Sequence, residues 1–223
     1  MPESPLQITR IVSDPFNENT YILSLSGRND CIVIDPGLEP GKILNHLDSA
    51  GLTPAAILCT HGHSDHIAGN AALKARWPEC PLAIGGGDAY KLTDPDGNLS
   101  APFGVPLTSP PADSTVAEGD IYEAAGIRLT VRETPGHSRG HVVFIYAEAG
   151  PTVVLAGDVL FRGNVGRTDL FDGDSTELRD SIHQKLFTLP DDTVVYPGHG
   201  SATTIGDEKR RNPYVGAPAG YQG

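Results

Sequence analysis

Residues 55–66 read Ala55-Ala-Ile-Leu-Cys-Thr60-His61-Gly62-His63-Ser64-Asp65-His66, and this stretch decides the fold. Its first half is a short apolar run of the kind that forms a buried strand. Its second half sets His61, His63, Asp65 and His66, all side chains able to bind a metal, directly behind that strand. Gly62 lets the chain turn so that His61 and His63 can point the same way. Asp65 and His66 open a helix, where adjacent side chains diverge by about 100° and can face a second point. A polar loop with an aspartate near a helix N-terminus explains Asp65 alone, because the helix dipole favours a carboxylate there. It does not explain four donors at one place. The stretch reads as the centre of a metal site.

Outward from it, TYILSLS (20–26) and DCIVID (30–35) read as strands, and PGKILNHLDSAG (40–51) as a helix bearing Ile43, Leu44 and Leu47. A second helix is expected from Asp65 to Arg76, ended by Pro78. Residues 85–118 are rich in Gly, Pro, Ser and Asp and read as a long surface loop, apart from a short helix near Asp88. Strands resume with IRLTVRE (127–133), HVVFIYA (141–147), TVVLAGD (152–158) and TVVYPG (193–198). A helix over about 175–187 opens with Asp174-x-x-Glu177, a capping-box pattern, and carries Leu178, Ile182 and Leu186 on one face. Residues after Arg211 read as a frayed tail.

This order contains a repeat. Strand, turn, strand, helix and strand lead first into His61 and then, from HVVFIYA onwards, into His199. Asp35 and Asp158 end the second strand of each half. One α/β domain over 1–223 follows, with two sheets between outer helices and polar residues gathered at the strand ends where the halves meet.

His137 and His199 each follow a strand and a Pro-Gly pair, which presents a side chain at a sheet edge. Taken singly, each is more often a structural, hydrogen-bonded histidine than a ligand. Asp158, closing an apolar strand, needs a positive partner, whether a salt bridge, a cap or a metal. Beside HGHSDH the metal reading gains weight. His46 and His183 fall in expected helices at the surface or an edge, and His141 starts a strand, which suits packing or support of a ligand. Asp35 is placed to orient a ligand histidine through its free ring nitrogen.

The 16 Lys and Arg against 28 Asp and Glu give a net charge of −12, which argues against nucleic acid and anionic membrane as partners. No apolar run approaches the roughly 20 residues of a membrane helix, and the amino end MPESPLQITR has no export pattern. Cys31, Cys59 and Cys80 form no Cys-x-x-Cys pair, so neither a disulfide frame nor a thiolate site is expected. A reduced, cytoplasmic protein is the expectation.

Through TYIL, IDPG, THGHSDH, PGHSRGHVVF, GDVLFRGNVGRTD, YPGHG and RRNPY, the sequence resembles the metallo-β-lactamase superfamily, and within it the short glyoxalase II-type hydrolases. The resemblance implies the four-layer αββα fold and two metal ions, Zn²⁺ foremost, with Fe or Mn accepted by the same donors. It implies that His61, His63 and His137 hold one ion, that Asp65, His66 and His199 hold the other, and that Asp158 is shared. Asp65 and Asp158 thereby belong to the catalytic set. A hydroxide bridging the metals would cleave a thioester such as S-lactoylglutathione. Arg167 falls where related hydrolases place a cation near the substrate; the residues alone allow an exposed salt bridge with Asp169 or Asp172. The additional C-terminal helical domain of longer glyoxalase II enzymes is expected to be missing. Lys209, Arg210 and Arg211 form a basic run that either is solvated or attracts an acidic thioester.

A related family of iron persulfide dioxygenases, acting on glutathione persulfide, also carries GRTD and a similar HxHxDH segment. It needs only two histidines and a carboxylate, here His61, His137 and Asp158. A third reading is a scaffold of the same fold without activity.

Overall fold

The apolar runs form strands, and the strands form two sheets. The computed structural model describes residues 6–223. In it β1 (Leu6–Ser13), β2 (Glu18–Leu25), β3 (Asp30–Ile34), β4 (Thr53–Cys59), β5 (Leu82–Gly85) and β6 (Ser114–Val116) pair in that order as a six-stranded sheet. The remaining strands are β7 (Ile121–Ala124), β8 (Ile127–Glu133), β9 (Val142–Tyr146), β10 (Val153–Gly157), β11 (Leu160–Phe161), β12 (Asn164–Val165), β13 (Val194–Pro197) and β14 (Thr203–Thr204). β11 and β12 form a hairpin, and the others make a second six-stranded sheet in the order β14-β13-β10-β9-β8-β7. Residues 1–5 belong to the amino end read as free of an export pattern, and they lie outside the described residues.

The repeat is present in the topology. β2 runs antiparallel to β3, α1 (Pro40–Ala50) crosses over, and β4 returns parallel to β3. Likewise β9 runs antiparallel to β10, α4 (Ser175–Ser181) crosses over, and β13 returns parallel to β10. Side chains from both sheets, among them Ile32, Leu58, Phe144 and Leu155, form the core between them. Ile43 and Leu47 of α1 cover the outer face of the first sheet, and Leu178 and Ile182 cover that of the second. The layers are therefore αββα, and strands packed on both faces read as unbroken apolar runs. Asp174 caps α4, accepting from the amides of Thr176 (2.7 Å) and Glu177 (3.0 Å), a contribution of about 1 kcal/mol.

Four details depart from expectation. The helix expected over 65–76 is two pieces, α2 (Ser64–Ile67) and α3 (Asn70–Arg76). The break falls at Gly69, whose amide donates to Pro36 O (2.8 Å) and whose Cα lies so close that a Cβ would meet Pro36 Cβ at 2.8 Å. β1, whose apolar side chains are interrupted by Thr9 and Arg10, was not foreseen; it pairs along its full length with β2. Residues 85–118 are not a loose loop. A 3₁₀ turn (Gly86–Leu92) and β6 lie within them, and Asp88, Lys91, Asn98 and Ser109 are buried. Nor is the segment after Arg211 frayed. It follows α5 (Ile205–Arg211), Asn212 and Val215 are buried, and His183 Nε2 donates to Val215 O at 2.8 Å. Single apolar residues without periodicity give no sequence signal, yet they pack on the second sheet's outer face.

Cys31, Cys59 and Cys80 are buried free thiols. Among the described residues, no helix is long and apolar enough to cross a membrane.

Candidate metal centre

The donors come from strand ends of both halves. β4 delivers His61 and His63, and α2 carries Asp65 and His66 in its single turn. His137 follows β8, Asp158 follows β10 and His199 follows β13. Gly157, just before Asp158, has φ +46°, and a Cβ there would lie 2.3 Å from Thr60 Oγ1. Only glycine fits that crossing of the two halves.

Four of the histidines are oriented in the same way. Nδ1 of His137 donates to Arg167 O (2.8 Å), and Nδ1 of His199 donates to Phe16 O (3.0 Å). Nδ1 of His66 faces Asp35 Oδ2 at 3.1 Å. Nδ1 of His61 lies 3.1 Å from Thr60 Oγ1, whose hydroxyl donates to the same Asp35 oxygen (2.7 Å). With each Nδ1–H held by an oxygen, each Nε2 is the ring nitrogen aimed into the centre, the atom a metal would take on displacing any proton there. His63 differs, turning Nδ1 towards Nε2 of His137 at 2.9 Å.

Donor atoms of His61, His63 and His137 lie within 4.8 Å of one another, as do those of Asp65, His66 and His199, and those of His61, His66 and Asp158. Asp158 stands between, 3.4 Å from His66, 3.6 Å from His137 and 3.4 Å from His199. The buried atoms Nε2 of His61 and Oδ1 of Asp158 have no hydrogen-bond partner among the described residues. Orphaned buried donors facing one another are costly without a cation between them. Imidazole and carboxylate donors in two sets suit two first-row divalent ions. The residues fit the metals.

The charges follow burial and neighbours. Burial, reinforced by the other imidazoles, pushes His61 and His63 well below the usual histidine range. Burial opposes charge on His66 and His199 as well, but the nearby Asp158 and Asp65 outweigh it, raising His66 and taking His199 to about 10. The reciprocal attraction holds Asp158 below the carboxylate range against its own burial. The centre thus keeps its carboxylates ionised, the form that binds cations.

Support comes from residues the sequence placed only in part. His141 Nε2 accepts the Asp158 amide (3.0 Å), so its Nδ1 carries the proton and donates to Thr134 Oγ1 (2.8 Å); burial lowers its pKa to about 3. That is the supporting role expected of it, as is that of Asp35. Asp88 was missed. Its Oδ2 accepts from Gly62 N (2.9 Å) and Ser138 Oγ (2.8 Å), its Oδ1 accepts from Gly140 N (2.8 Å), and the buried Lys91 neutralises it. It ties the loop of His61 and His63 to that of His137. Glu18 was missed too. It is fully buried beside His66 and His199, neither of its oxygens has a partner among the described residues, and burial pushes its carboxyl well above the usual range. Nothing in the sequence distinguishes either carboxylate from a surface one.

A cavity of about 560 Å³ opens onto the donors and is lined by His63, Asp65, His137, Asp158 and His199. Arg167 is on its wall, but the guanidinium is exposed and paired in two contacts with Asp169 (2.7 and 2.8 Å). The basic run is spent near its own helix, Lys209 on Asp191 and Arg210 on Asp207.

Comparison with known proteins bears on the family and the fold. Residues 13–199 match the metallo-beta-lactamase superfamily. A probable metallo-hydrolase of Bacillus subtilis, YqgX, is 37% identical over 207 residues, which span 92% of this chain and 96% of that protein. Hydroxyacylglutathione hydrolase GloC of Haemophilus influenzae is 35% identical over 202 residues, 90% of this chain and 93% of its own. Among solved structures, the BLEG-1 B3 metallo-beta-lactamase superimposes with a TM-score of 0.88 at 36% identity, over 94% of this chain and 99% of that one. TTHA1623 in a di-iron-bound form gives 0.80 at 35%, over 93% and 100%. ETHE1 from Myxococcus xanthus gives 0.78 at 27%, over 95% and 85%.

Proposed function

The chain belongs to the metallo-β-lactamase superfamily, and from that membership we propose that it is a binuclear, metal-dependent hydrolase that cleaves thioesters such as S-lactoylglutathione. The observation that carries this reading is the second donor set. Asp65, His66 and His199 converge within 4.8 Å beside the set of His61, His63 and His137, with Asp158 facing both. A single-metal oxidation needs only His61, His137 and Asp158. Since related dioxygenases also carry an HxHxDH segment, the second set supports the hydrolase through its use, which the experiment below reads. The relationship to GloC, whose name states a thioester hydrolase activity, supports the same substrate class.

Zn²⁺ is the proposed ion, with Fe or Mn acceptable to the same donors, and one neighbour is a di-iron form. When bound, the pair supplies Lewis acidity and a water acidic enough to ionise near neutrality. The chain's own residues fix the geometry of that chemistry. Asp35, Thr60, Phe16 O and Arg167 O hold the imidazole planes, and His141 holds the backbone of Asp158. Rigid donors cost no reorganisation as charge develops on the carbonyl oxygen. A thiol of pKa near 8.5 departs as thiolate, so no strong general acid is needed. Arg167 is proposed to meet a carboxylate of the thiol carrier by exchanging Asp169 for it. The cytoplasm is the proposed location, and a small acyl-thiol the proposed partner.

The structural likeness to ETHE1 favours one alternative, oxidation of a persulfide at a single iron. Zinc-loaded protein given S-lactoylglutathione without oxygen is expected to release free thiol, and His199→Ala to slow release by orders of magnitude. Iron-loaded protein given glutathione persulfide is expected to consume little oxygen. Fast oxygen uptake that survives His199→Ala, with negligible thioester cleavage, would replace the hydrolase by the dioxygenase.

A further inference from the structure

The cavity over the donors is not uniform. Phe16, Leu99, Pro102, Phe103, Phe161 and Leu170 line it, while Arg167 is the one Lys or Arg among the described residues that does. Phe16 and Phe103 come from loops more than eighty residues apart in sequence, and their rings meet with centroids 6.0 Å apart. The same Phe16 holds His199 through its carbonyl, and Phe161 meets the His199 ring edge-on at 6.1 Å. The apolar wall is therefore built onto the half-site of Asp65, His66 and His199. Arg167, whose carbonyl holds His137, belongs to the opposite half-site.

These rings are exposed in an otherwise acidic protein, Phe16 at 46% and Phe103 at 65%. Large apolar side chains converging in the open beside a polar centre lack the burial that folding gives such groups, and they mark a ligand surface. The wall faces the donors inside a concave site, so the occupant that fits is part of the substrate.

We propose that this wall binds an aliphatic chain of several carbons on the acyl side of the scissile bond. The enzyme then prefers thioesters of apolar acyl groups over the small, hydroxylated lactoyl group. The inference rests on reading the site as a thioester pocket, and it names the acyl class within that reading. The wall is placed by the fold itself, since Phe16 is anchored through His199, and the 98–107 loop through Ser64 N donating to Asn98 O (2.9 Å).

The test uses S-alkylglutathione thioethers, which cannot be hydrolysed, titrated by calorimetry into the metal-loaded protein. A methylene fully removed from water strengthens binding about fourfold. Five added methylenes, about half removed in an open groove, are expected to make S-hexylglutathione bind about thirtyfold tighter than S-methylglutathione. Phe103→Ala is expected to cut that ratio below about fivefold, and Phe103→Leu to restore most of it. Ile121→Ala, an exposed apolar residue on β7 outside the cavity, keeps the wild-type ratio. Affinities equal within twofold, a ratio unmoved by Phe103→Ala, or no measurable binding of either thioether would each overturn the proposal. Thioether binding does not need turnover. A steep ladder with no thioester cleaved removes the hydrolase reading and leaves the apolar wall, whereas cleavage with a flat ladder removes the wall alone.

Discussion

Asp35 Oδ2 lies 3.1 Å from Nδ1 of His66 and accepts the Thr60 hydroxyl at 2.7 Å, so one buried carboxylate orients both His66 and, through Thr60, His61. Its other oxygen accepts the Thr60 amide (2.7 Å), which locks the carboxylate itself. Asp35→Asn keeps the shape but loses the charge and one acceptor. Outer partners of metal-bound histidines are typically worth about 10–100-fold in affinity. We expect the Asp35→Asn variant to fold, by circular dichroism, and to lose zinc affinity within that range in competition with a chromophoric chelator. Wild-type affinity would return Asp35 to a packing role.

Asp158 is the donor that faces both sets, and its removal separates shared from redundant ligation. Asp158→Ala is expected to lower metal content from up to two ions per chain by at least one, measured by elemental analysis, together with activity. Binding of metal to the native state alone adds stability by mass action, about 2.7 kcal/mol at a hundredfold excess over Kd. A chelator should therefore lower the melting temperature of the wild type more than that of the variant. An active variant with full metal content would break the shared-ligand account.

How much of this was legible depends on whether a feature is local. HGHSDH is contiguous and His137, Asp158 and His199 each follow a strand, so the residues pointed to a metal site, while the full donor set and its division between two ions came from the family resemblance. The repeat was legible because β2, β3, β9 and β10 are buried almost throughout, and β4 and β13, though half-buried in places, still read as short apolar runs. β5 has four residues and β6 three, too short for any period to register. Asp88, Lys91 and Glu18 were illegible because charged residues are ordinarily exposed, and only tertiary contacts reveal a buried one. Phe16 and Phe103 sit in irregular segments, where exposure is set by the approach of two distant loops.

The Asp88–Lys91 pair makes a separate prediction about stability. Lys91 is fully buried between Asp172 (2.7 Å) and Asp88 (3.3 Å), and Asp88 also takes the amides of Gly62 and Gly140. Removing Asp88 leaves Lys91 with Asp172 alone and strips two buried amides and the Ser138 hydroxyl of their acceptor, a cost of about 3–5 kcal/mol at about 1–3 kcal/mol for each unsatisfied donor. Asp88→Ala should lower the urea midpoint by that equivalent, with Asp88→Asn falling between. A loss under about 1 kcal/mol would mean that water reaches the pair.

The cysteines give the pH dependence. Burial pushes Cys80 up to about 11 and Cys31 to about 12, and it pushes the Cys59 thiol higher still. An ordinary thiol ionises near 8.5. At pH 8 the Cys80 thiolate is therefore about a thousandth of the population, and all three thiols are enclosed besides. Native protein should scarcely react with a disulfide thiol reagent, and urea should expose Cys31, Cys59 and Cys80 together. The sign for stability follows from raised folded-state values. The contribution is complete below about pH 8.5 and shrinks as the pH climbs towards 11 for Cys80, because only the unfolded thiols ionise in that window. The urea midpoint should thus fall between pH 8.5 and 10, and Cys80→Ala should flatten the fall. Rapid labelling of the native protein at pH 8 would show that these thiols are reached from solvent and that burial does not hold them protonated.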